Sequence, residues 1–332
     1  MNQRTQCPND NTPLFPLVSI LINNYNYAKY VKDAVDSALD QNYPFVEVVV
    51  VDDGSTDDSL QVLASFGKRI HLIVQENAGQ AAAFNAGYRA SKGDIICFLD
   101  ADDLFTREKV ESVVKVFKDN RDVSWCFDTP LWIEGASKNP LKHPIGLTEG
   151  RCDMRATLER GRTPHMPTAT SGLSFRRYLL DRILPMPELI RITSDNYIKL
   201  AATISAPGWI DNRMLSLQRI HETNAYTNRT FGKERLVGRT DFLGGIFLAR
   251  NFQGLRRVGF KMFCRGLAWL WMTEGIERDL KPLVTEQFKS MKNLAKVNAW
   301  GRIMSWAIRY QSRRLLRTFR RRARGSLTEP SS

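Results

Sequence analysis

The chain of 332 residues is long enough for one large domain with an appendage or for two medium domains. With 43% hydrophobic and 25% charged residues, it has the composition of a soluble globular protein, and no window approaches the roughly 18 apolar residues of a membrane span. Five scattered cysteines without a C-x-x-C pair favour a reduced, cytoplasmic protein and indicate neither a zinc site nor a disulfide framework. The polar stretch Met1–Pro13 does not resemble a signal peptide, so we expect no export.

The net charge of +13 is concentrated in the C-terminal third. Residues 231–332 contain 22 Lys and Arg and 7 Asp and Glu, which gives a net charge of +15. Residues 1–230 contain 26 Lys and Arg and 28 Asp and Glu, which gives a net charge of −2. The sequence therefore predicts a polar N-terminal tail over 1–15, a nearly neutral domain over 16–230 and a basic helical region over 231–332.

Apolar runs alternate with helical patterns through the first 130 residues. The runs predict strands at Leu17–Ile22, Val46–Val51, Ile70–Val74, Ile95–Leu99 and Val123–Phe127. The intervening patterns predict helices at Tyr30–Leu39, from Ser55 to Phe66, at Asn77–Ser91 and from about Val110 to Lys118. This alternation indicates an α/β fold with a mainly parallel, doubly wound sheet and helices on both faces.

Polar residues follow three of these strands, at Asn23–Asn26, Asp52–Asp53 and Asp100–Asp103. Ligands of such sheets bind outside the carboxyl ends of the strands, so the three ends predict one site. Neither a G-x-G-x-x-G after the first strand nor a G-x-x-x-x-G-K-[ST] is present to bind phosphate.

The acidic end of the fourth strand suits a divalent cation. Asp100 and Asp102 lie two residues apart on an extended chain, so both side chains can face one ion such as Mg²⁺ or Mn²⁺. The alternative is an ordinary turn that caps the next helix, which fits Asp103. The mutual repulsion of three carboxylates favours the cation.

Four motifs together resemble the ordered signature of family 2 glycosyltransferases. They are Val18–Asn26, Val50–Asp57, Asn77–Gln80 with Asn85–Gly87, and Phe98–Asp103. The resemblance covers roughly residues 16–225. It implies a GT-A fold, which is Rossmann-like, and an inverting enzyme that uses a nucleoside-diphosphate sugar and Mg²⁺ or Mn²⁺.

The resemblance also implies individual roles. The nucleotide-sugar site would comprise Asn23 and Tyr25 beside the nucleobase, Asp53 and Asn77, and Asp100 at the ribose, with Asp102 as the metal ligand. A carboxylate only accepts, and uracil N3–H donates, so Asp53 suits a uridine donor. The sequence around Asp52 and Asp53 also fits an ordinary turn between a strand and a helix. Asp52 would then stabilise the turn, while Asp53 contacts the base. Phe84 stands where relatives often have Arg, which argues against an Arg contact from this helix.

The second half of the domain supplies two further candidates. Between Asp128 and Thr168 the pattern breaks up and predicts a long loop that closes over the donor, followed by a strand within Ala169–Arg177. By resemblance, Asp195 is the general base, with Ser194 in place of the usual Glu. The alternative is that either residue merely caps a helix.

His221 follows a predicted strand, Trp209–Ile220, in a motif that resembles the closing motif of the family, Arg-x-His-x-x-Asn. By that resemblance it is a third metal ligand or a diphosphate contact. The alternative is a surface or packing histidine.

The basic tail shows three helical patterns, with Trp and Leu interleaved with Arg from Leu294 onward. Such a helix suits the surface of an anionic membrane. The alternatives are packing on the catalytic domain or on a second subunit, and nucleic acid ranks third because no recognised motif accompanies the charge.

Together these features predict a cytoplasmic glycosyltransferase, peripheral at the inner face of the membrane. It would act on a glycan or lipid-linked acceptor in cell-surface polysaccharide synthesis. One alternative is a non-catalytic nucleotide-sugar-binding or membrane scaffold protein with the same fold. Another, a phosphotransferase with a nucleophilic Asp-x-Asp, would need that pair after the first strand.

Overall fold

The computed structural model describes residue 13 and residues 15–134, 140–142, 148–166, 168–221 and 234–325, with side chains except those of 140–142, 234 and 313–325. The chain forms two compact units, residues 1–228 and 229–332. Their boundary falls outside the described residues, as do most of the N-terminal tail and Glu222–Asn224 of the predicted closing motif. The domain limits at 15 and 230 therefore stay predictions.

The first unit is a layered α/β structure. Its strands are β1 (Val18–Asn24), β2 (Val46–Asp52), β3 (His71–Val74), β4 (Ile95–Asp100), β5 (Leu104–Phe105), β6 (Trp125–Asp128), β7 (Leu131–Glu134), β8 (Pro140–Lys142), β9 (Gly150–Cys152), β10 (Leu173–Arg176), β11 (Gly208–Asp211) and β12 (Ser216–Ile220). Its helices are α1 (Ala28–Leu39), α2 (Ser59–Ala64), α3 (Gln80–Ala90), α4 (Lys109–Asp119), α5 (Arg155–Glu159), α6 (Arg177–Leu180) and α7 (Ser194–Ser205).

The main sheet has the order β3-β2-β1-β4-β10-β6-β11-β9, and only β10 and β9 run against the other strands. A smaller sheet has the order β5-β12-β7-β8. The predicted α/β fold with a mainly parallel sheet is confirmed.

Helices cover both faces of the main sheet because its central strands are apolar on both sides. Ile20 and Ile22 of β1 pack into one cluster with residues of α1 and α4. Val51 of β2 packs with Ala83 of α3 in a separate cluster on the opposite face. This packing fixes the neighbouring carboxyl ends of β1, β2 and β4 along one edge, with Asn23 directly beside Asp100.

Three local predictions are wrong. Trp209–Ile220 forms two strands in different sheets, because the carboxylate of Asp211 accepts the backbone N–H of Arg213 at 3.0 Å and turns the chain. The predicted loop after Asp128 contains β7, β8, β9 and α5, which are too short to show periodicity. β7 and β9 pair with β12 and β11, far along the sequence, and β8 pairs with β7. The second helix begins at Ser59, after a turn in which Asp57 accepts the N–H of Ser59.

The second unit contains the helices α8 (Glu234–Asn251), α9 (Arg256–Thr273), α10 (Lys281–Ser290) and α11 (Asn293–Gly325). The predicted helical character of the basic region is confirmed, although α10 was not predicted. Phe242 of α8 and Phe263 of α9 pack with ring centroids 5.4 Å apart, and Arg265 pairs with Asp241 at 2.5 Å. None of the helices in the described part of the chain combines the length and apolar character needed to cross a membrane.

Candidate active site

The end of β4 brings three carboxylates together. One oxygen of each of Asp100, Asp102 and Asp103 lies within 4.8 Å of the others. Burial, and then the neighbouring Asp102, raise the pKa of Asp100 to about 7. Burial, followed by the charges of Asp102 and Asp100, raises the pKa of Asp103 well above its usual range. Negative charge is therefore unfavourable here unless a cation offsets it.

Asp103 is satisfied within the protein. One of its oxygens accepts the hydroxyl of Ser171 at 2.6 Å, and the other accepts the backbone N–H of Arg219 at 2.9 Å. It thus ties the turn before β10 and the strand β12 to the end of β4. The role of Asp103 is thus structural, but it does not cap the next helix as the sequence alternative supposed, because the cap position of α4 is Glu108.

Asp102 and His221, both predicted as metal ligands, are brought together from positions 119 residues apart. Nε2 of His221 lies 3.0 Å from Oδ2 of Asp102, and the histidine ring stacks on Tyr30 with centroids 4.6 Å apart. The hydroxyl of Tyr27 also donates to Asp102, and burial together with this carboxylate raises the pKa of Tyr27. Tyr27 was missed because a tyrosine between a strand and a helix carries no pattern.

These groups fit a hard divalent cation. Two carboxylates and one imidazole nitrogen are acceptable ligands for Mg²⁺ or Mn²⁺. The crowding of Asp100 and Asp102 supplies an electrostatic reason for a cation at this point. Asp102 and His221, with Asp100 beside them, are the residues that would hold it.

Asn23 and Tyr25 lie at the end of β1, next to this acidic cluster. The Asn23 side chain hydrogen-bonds the carboxylate of Asp100. Its Oδ1 is buried, and the described residues supply no hydrogen-bond partner for it. Tyr25 is 46% exposed just beyond the strand. A buried acceptor without a donor is costly, so a ligand with a hydroxyl or N–H would stabilise this position.

Asp53 and Asn77 belong to one hydrogen-bonded loop. The carboxylate of Asp53 accepts the backbone N–H groups of Ala78 and Gly79 at 2.9 and 2.7 Å and the side-chain amide of Gln75 at 2.7 Å. The Asn77 amide donates to the carbonyl of Asp53 at 3.0 Å. Gly79 has φ +94, and a Cβ there would lie 2.8 Å from the backbone of Arg191, so only glycine fits.

Asp52 serves the turn after β2, as expected. Its carboxylate accepts the Asn24 amide at 2.7 Å and both the hydroxyl and the N–H of Ser55 at 2.6 and 2.9 Å. The two adjacent aspartates therefore have different partners: Asp52 holds the end of β1 and Asp53 holds the loop that follows β3.

Asp195 lies in the first turn of α7 without capping it. The N-terminal cap is Thr193, in the left-handed region at φ 49, and its side chain makes no capping bond. The hydroxyl of the buried Ser194 donates to the carbonyl of Ile190 at 2.8 Å. Oδ2 of Asp195 instead pairs with Nζ of Lys199 at 2.9 Å. Asp195 also contributes to the raised pKa of Asp100, so it lies near the acidic cluster.

Gln80 connects the acidic cluster to α7. Its side-chain oxygen accepts the backbone N–H of Ser194 at 2.9 Å, and its amide nitrogen lies 3.5 Å from Oδ1 of Asp100. Its own N–H donates to the carbonyl of Arg191 at 2.8 Å. Gln80 is the last residue of the motif Asn77–Gln80, but no sequence pattern predicts its contacts with Asp100 and α7.

A cationic side chain from another segment of the chain contacts the loop that contains Asn77. Phe84 is a core residue whose ring packs on Phe98 at 4.8 Å, consistent with the expectation that α3 supplies no Arg contact. The exposed guanidinium of Arg191 instead donates to the carbonyl of Asn77 at 3.2 Å and to its side-chain oxygen. No motif distinguishes Arg191 in the sequence, so it was missed.

Solved structures define the class of fold. The structure of Staphylococcus aureus TarS, residues 1–349, in complex with UDP-GlcNAc superposes with a TM-score of 0.59 at 16% identity, covering 88% of this chain and 81% of that one. A mannosyltransferase of Pyrobaculum calidifontis in complex with GDP-Man and Mn²⁺ gives a TM-score of 0.50 at 18% identity, covering 88% and 86%. The chain therefore has the GT-A fold that the sequence predicts.

The profile of Glycosyl transferase family 2 matches residues 19–184, which is half of the chain, so the chain belongs to this family. An uncharacterized glycosyltransferase of Nostoc sp. is 34% identical over 213 residues, covering 62% of this chain and 66% of the relative. A Bacillus subtilis glycosyltransferase assigned by name to teichuronic acid biosynthesis, TuaG, is 37% identical over 116 residues, covering 34% of this chain and 46% of the relative. The aligned regions thus span less than two thirds of either relative.

Proposed function

We propose that this protein transfers a sugar from a nucleoside-diphosphate sugar, in the first instance a UDP-sugar, to an acceptor hydroxyl with inversion of configuration. The observation that carries this proposal is the arrangement around Asp100. The carboxylates of Asp100 and Asp102, His221 and the base candidate Asp195 come together at the edge of the sheet where parallel folds bind ligands. Family membership and the complexes named for the two structural neighbours support a nucleotide-sugar donor.

The donor would lie along the carboxyl ends of β1, β2 and β4. A carboxylate offers about four acceptor positions, and the three N–H donors on Asp53 leave room for one more, which suits the N3–H of uracil. Tyr25 and Asn77 would flank the base. The unpartnered Oδ1 of Asn23 and the carboxylate of Asp100 would accept ribose hydroxyls.

In the transfer step, Asp195 takes the proton of the acceptor hydroxyl. The oxygen then attacks the anomeric carbon while the bond from that carbon to the diphosphate oxygen breaks. Lys199 holds the carboxylate of Asp195 in place. A divalent cation bound by Asp102 and His221 would neutralise charge on the departing diphosphate.

For the acceptor, we propose a glycan or a lipid-linked glycan of the cell surface, with the protein in the cytoplasm at the inner membrane face. Support comes from the name of the Bacillus subtilis relative and from the basic region after residue 230.

The test is release of the nucleoside diphosphate from a panel of UDP- and GDP-sugars, with Mn²⁺ or with EDTA, by wild type and Asp195→Asn. We expect metal-dependent release by wild type with one donor and loss of roughly 10²-fold or more in the variant, with donor binding retained. Donor binding without turnover under any condition would support the non-catalytic alternative instead.

A further inference from the structure

One face of α11 exposes a row of large apolar side chains. The row consists of Leu294, Val297, Trp300, Met304 and Ile308, which are 82%, 69%, 52%, 45% and 59% exposed. Their spacings of three and four residues place them on one side of the helix. We call this row the α11 stripe. These five account for nearly half of the twelve large apolar side chains that are exposed in the described part of the chain.

The stripe lies beside the face of α11 that packs within the second unit. That packed face contains Ala299, Ile303 and Ala307, which are at most 5% exposed. Trp300 lies between the two faces, because its ring stacks on Phe288 of α10 with centroids 5.5 Å apart while the side chain stays 52% exposed. The helix therefore has two apolar faces, and most of the stripe is not covered within the second unit. Contiguous apolar surface of this kind marks an interaction site.

The charge of the same helix indicates what covers the stripe. Residues 293–325 contain ten Lys and Arg and no Asp or Glu. Arg302 and Arg309 are exposed on α11 beside the stripe. The other basic residues from Arg313 onward have side chains outside the described residues, although the helix backbone continues through them to Gly325.

We propose that the α11 stripe inserts into the interface of an anionic lipid bilayer, with the helix lying parallel to the surface and the basic side chains at the lipid phosphates. A stripe of Leu, Val, Met, Ile and Trp bordered by arginine is the composition of helices that bind membrane interfaces. Each basic residue near an anionic surface adds attraction. This inference deepens the proposed function, on which it rests, by naming the surface that brings the enzyme to a lipid-linked acceptor.

Two other occupants are disfavoured. A second copy joined through the same stripe would bring two helices with ten positive charges each, and no acidic residue of either helix, into contact. Nucleic acid would use the arginines but leave the apolar stripe in water, since phosphate contacts are electrostatic.

The experiment is sedimentation of full-length protein with vesicles of phosphatidylcholine alone or mixed equally with phosphatidylglycerol. We expect binding only to the mixed vesicles, weakened when salt is raised to about 0.15 M and above, because the Debye length falls to about 8 Å. The stripe variant, Leu294→Ser with Val297→Ser and Ile308→Ser, should bind at least about tenfold more weakly at every salt concentration. The charge variant, Arg302→Glu with Arg309→Glu, should lose a similar amount at low salt only.

Matched controls change the same chemistry elsewhere. Met214→Ser removes an apolar side chain that is 44% exposed in the first unit, and Lys68→Glu with Lys118→Glu makes the same change in net charge as the charge variant. Both should bind vesicles like wild type. Circular dichroism and thermal unfolding establish that each variant is folded.

Three outcomes would overturn the proposal: no binding to anionic vesicles at low salt, unchanged binding by the stripe variant, or a wild-type dimer that the stripe variant converts to monomer. We expect that duplex DNA does not displace the wild-type protein from anionic vesicles. Displacement by DNA would show that the protein prefers nucleic acid to the membrane. Release of nucleoside diphosphate in vesicle-free solution is measured in parallel. Vesicle binding without donor turnover would support this inference and contradict the proposed function. Donor turnover without vesicle binding would support the proposed function and contradict this inference.

Discussion

Lys199 and Asp195 form an ion pair across one turn of α7, with Nζ 2.9 Å from Oδ2. The same ammonium donates to the carbonyl oxygen of Thr168, also at 2.9 Å. The two side chains are only 7% and 13% exposed, so solvent screens their interaction weakly. One cation therefore fixes the carboxylate and the chain segment before β10 relative to each other.

The first prediction concerns this pair. Lys199→Met should lower kcat by roughly tenfold while changing the KM for the donor little, because a misplaced base slows proton transfer without altering donor contacts. Asp195→Asn should lower kcat by roughly 10²-fold or more. If Lys199 acts through Asp195, the double variant should be no slower than Asp195→Asn alone. Steady-state kinetics of the four proteins provide the measurement.

The matched control is Lys115→Met, which breaks another i,i+4 pair, between Lys115 and Asp119 at 2.8 Å with side chains 70% and 52% exposed. Such an exposed pair contributes little, so activity and stability should hardly change. Additive losses in the Lys199 and Asp195 double variant would show that Lys199 does not act by positioning Asp195.

The second prediction separates two neighbouring acids. Asp102→Asn should abolish transfer and remove the effect of Mn²⁺ on nucleotide binding, because Asp102 is the carboxylate that faces His221. Asp103→Asn should instead lower the melting temperature and keep the Mn²⁺ dependence, since Asp103 is bonded to Ser171 and Arg219. Calorimetric titration of UDP with and without Mn²⁺, together with thermal unfolding, distinguishes them. Equal effects of both variants on Mn²⁺ dependence would contradict this assignment.

Much of the fold was predictable because it depends on long periodic segments. The apolar runs of β1, β2 and β4 and the helical spacing of α1 and α4 give clear patterns over six residues or more. The short strands β5, β7, β8 and β9 were not predictable, since two to four residues show no periodicity. β5, β7 and β9 form only because β12 and β11, far along the chain, supply their partners, and β8 in turn pairs with β7.

The residues of the candidate active site likewise include some that the sequence could predict and some that it could not. The aspartates were visible because several carboxylates in a few residues are unusual, and the resemblance ordered them. Tyr27, Gln80, Arg191 and Lys199 are single residues of common types, and only their tertiary contacts place them near the acids. A sequence pattern cannot show that Gln80 contacts Ser194, because 114 residues separate them.

The third prediction uses the pKa of Asp100, which burial and Asp102 raise from about 4 to about 7. The folded state then holds a proton that the unfolded state releases, so the metal-free protein loses stability as pH rises through this window. Asn resembles the protonated acid and does not titrate. In EDTA, the melting temperature of Asp100→Asn should therefore increasingly exceed that of wild type between about pH 4 and pH 7, and the difference should level off above.

Excess Mn²⁺ should reduce that difference by stabilising the wild type, because a ligand of the folded state shifts the unfolding equilibrium. Thermal unfolding of the two proteins at several pH values, with EDTA or Mn²⁺, is sufficient. A difference independent of pH would mean that Asp100 does not titrate in this range.

The last prediction concerns Gln80, whose two side-chain atoms face different parts of the site. Gln80→Glu keeps an oxygen that can accept the N–H of Ser194, so α7 should stay in place and kcat should change little. It also replaces an amide near Asp100 by a carboxylate, which adds negative charge where the diphosphate would bind. We therefore expect the KM of the donor to rise by roughly tenfold, an effect that added Mn²⁺ partly reverses.

Gln80→Met should behave in the opposite way, since it removes the acceptor for Ser194 and adds no charge. The N–H of Ser194 then lacks a partner at the start of α7, so Asp195 is less well placed and kcat should fall with little change in the donor KM. Initial rates over a matrix of donor and Mn²⁺ concentrations separate the two responses. If both variants alter kcat and KM in the same proportion, Gln80 contributes only to folding, and the connection between Asp100 and α7 has no part in the reaction.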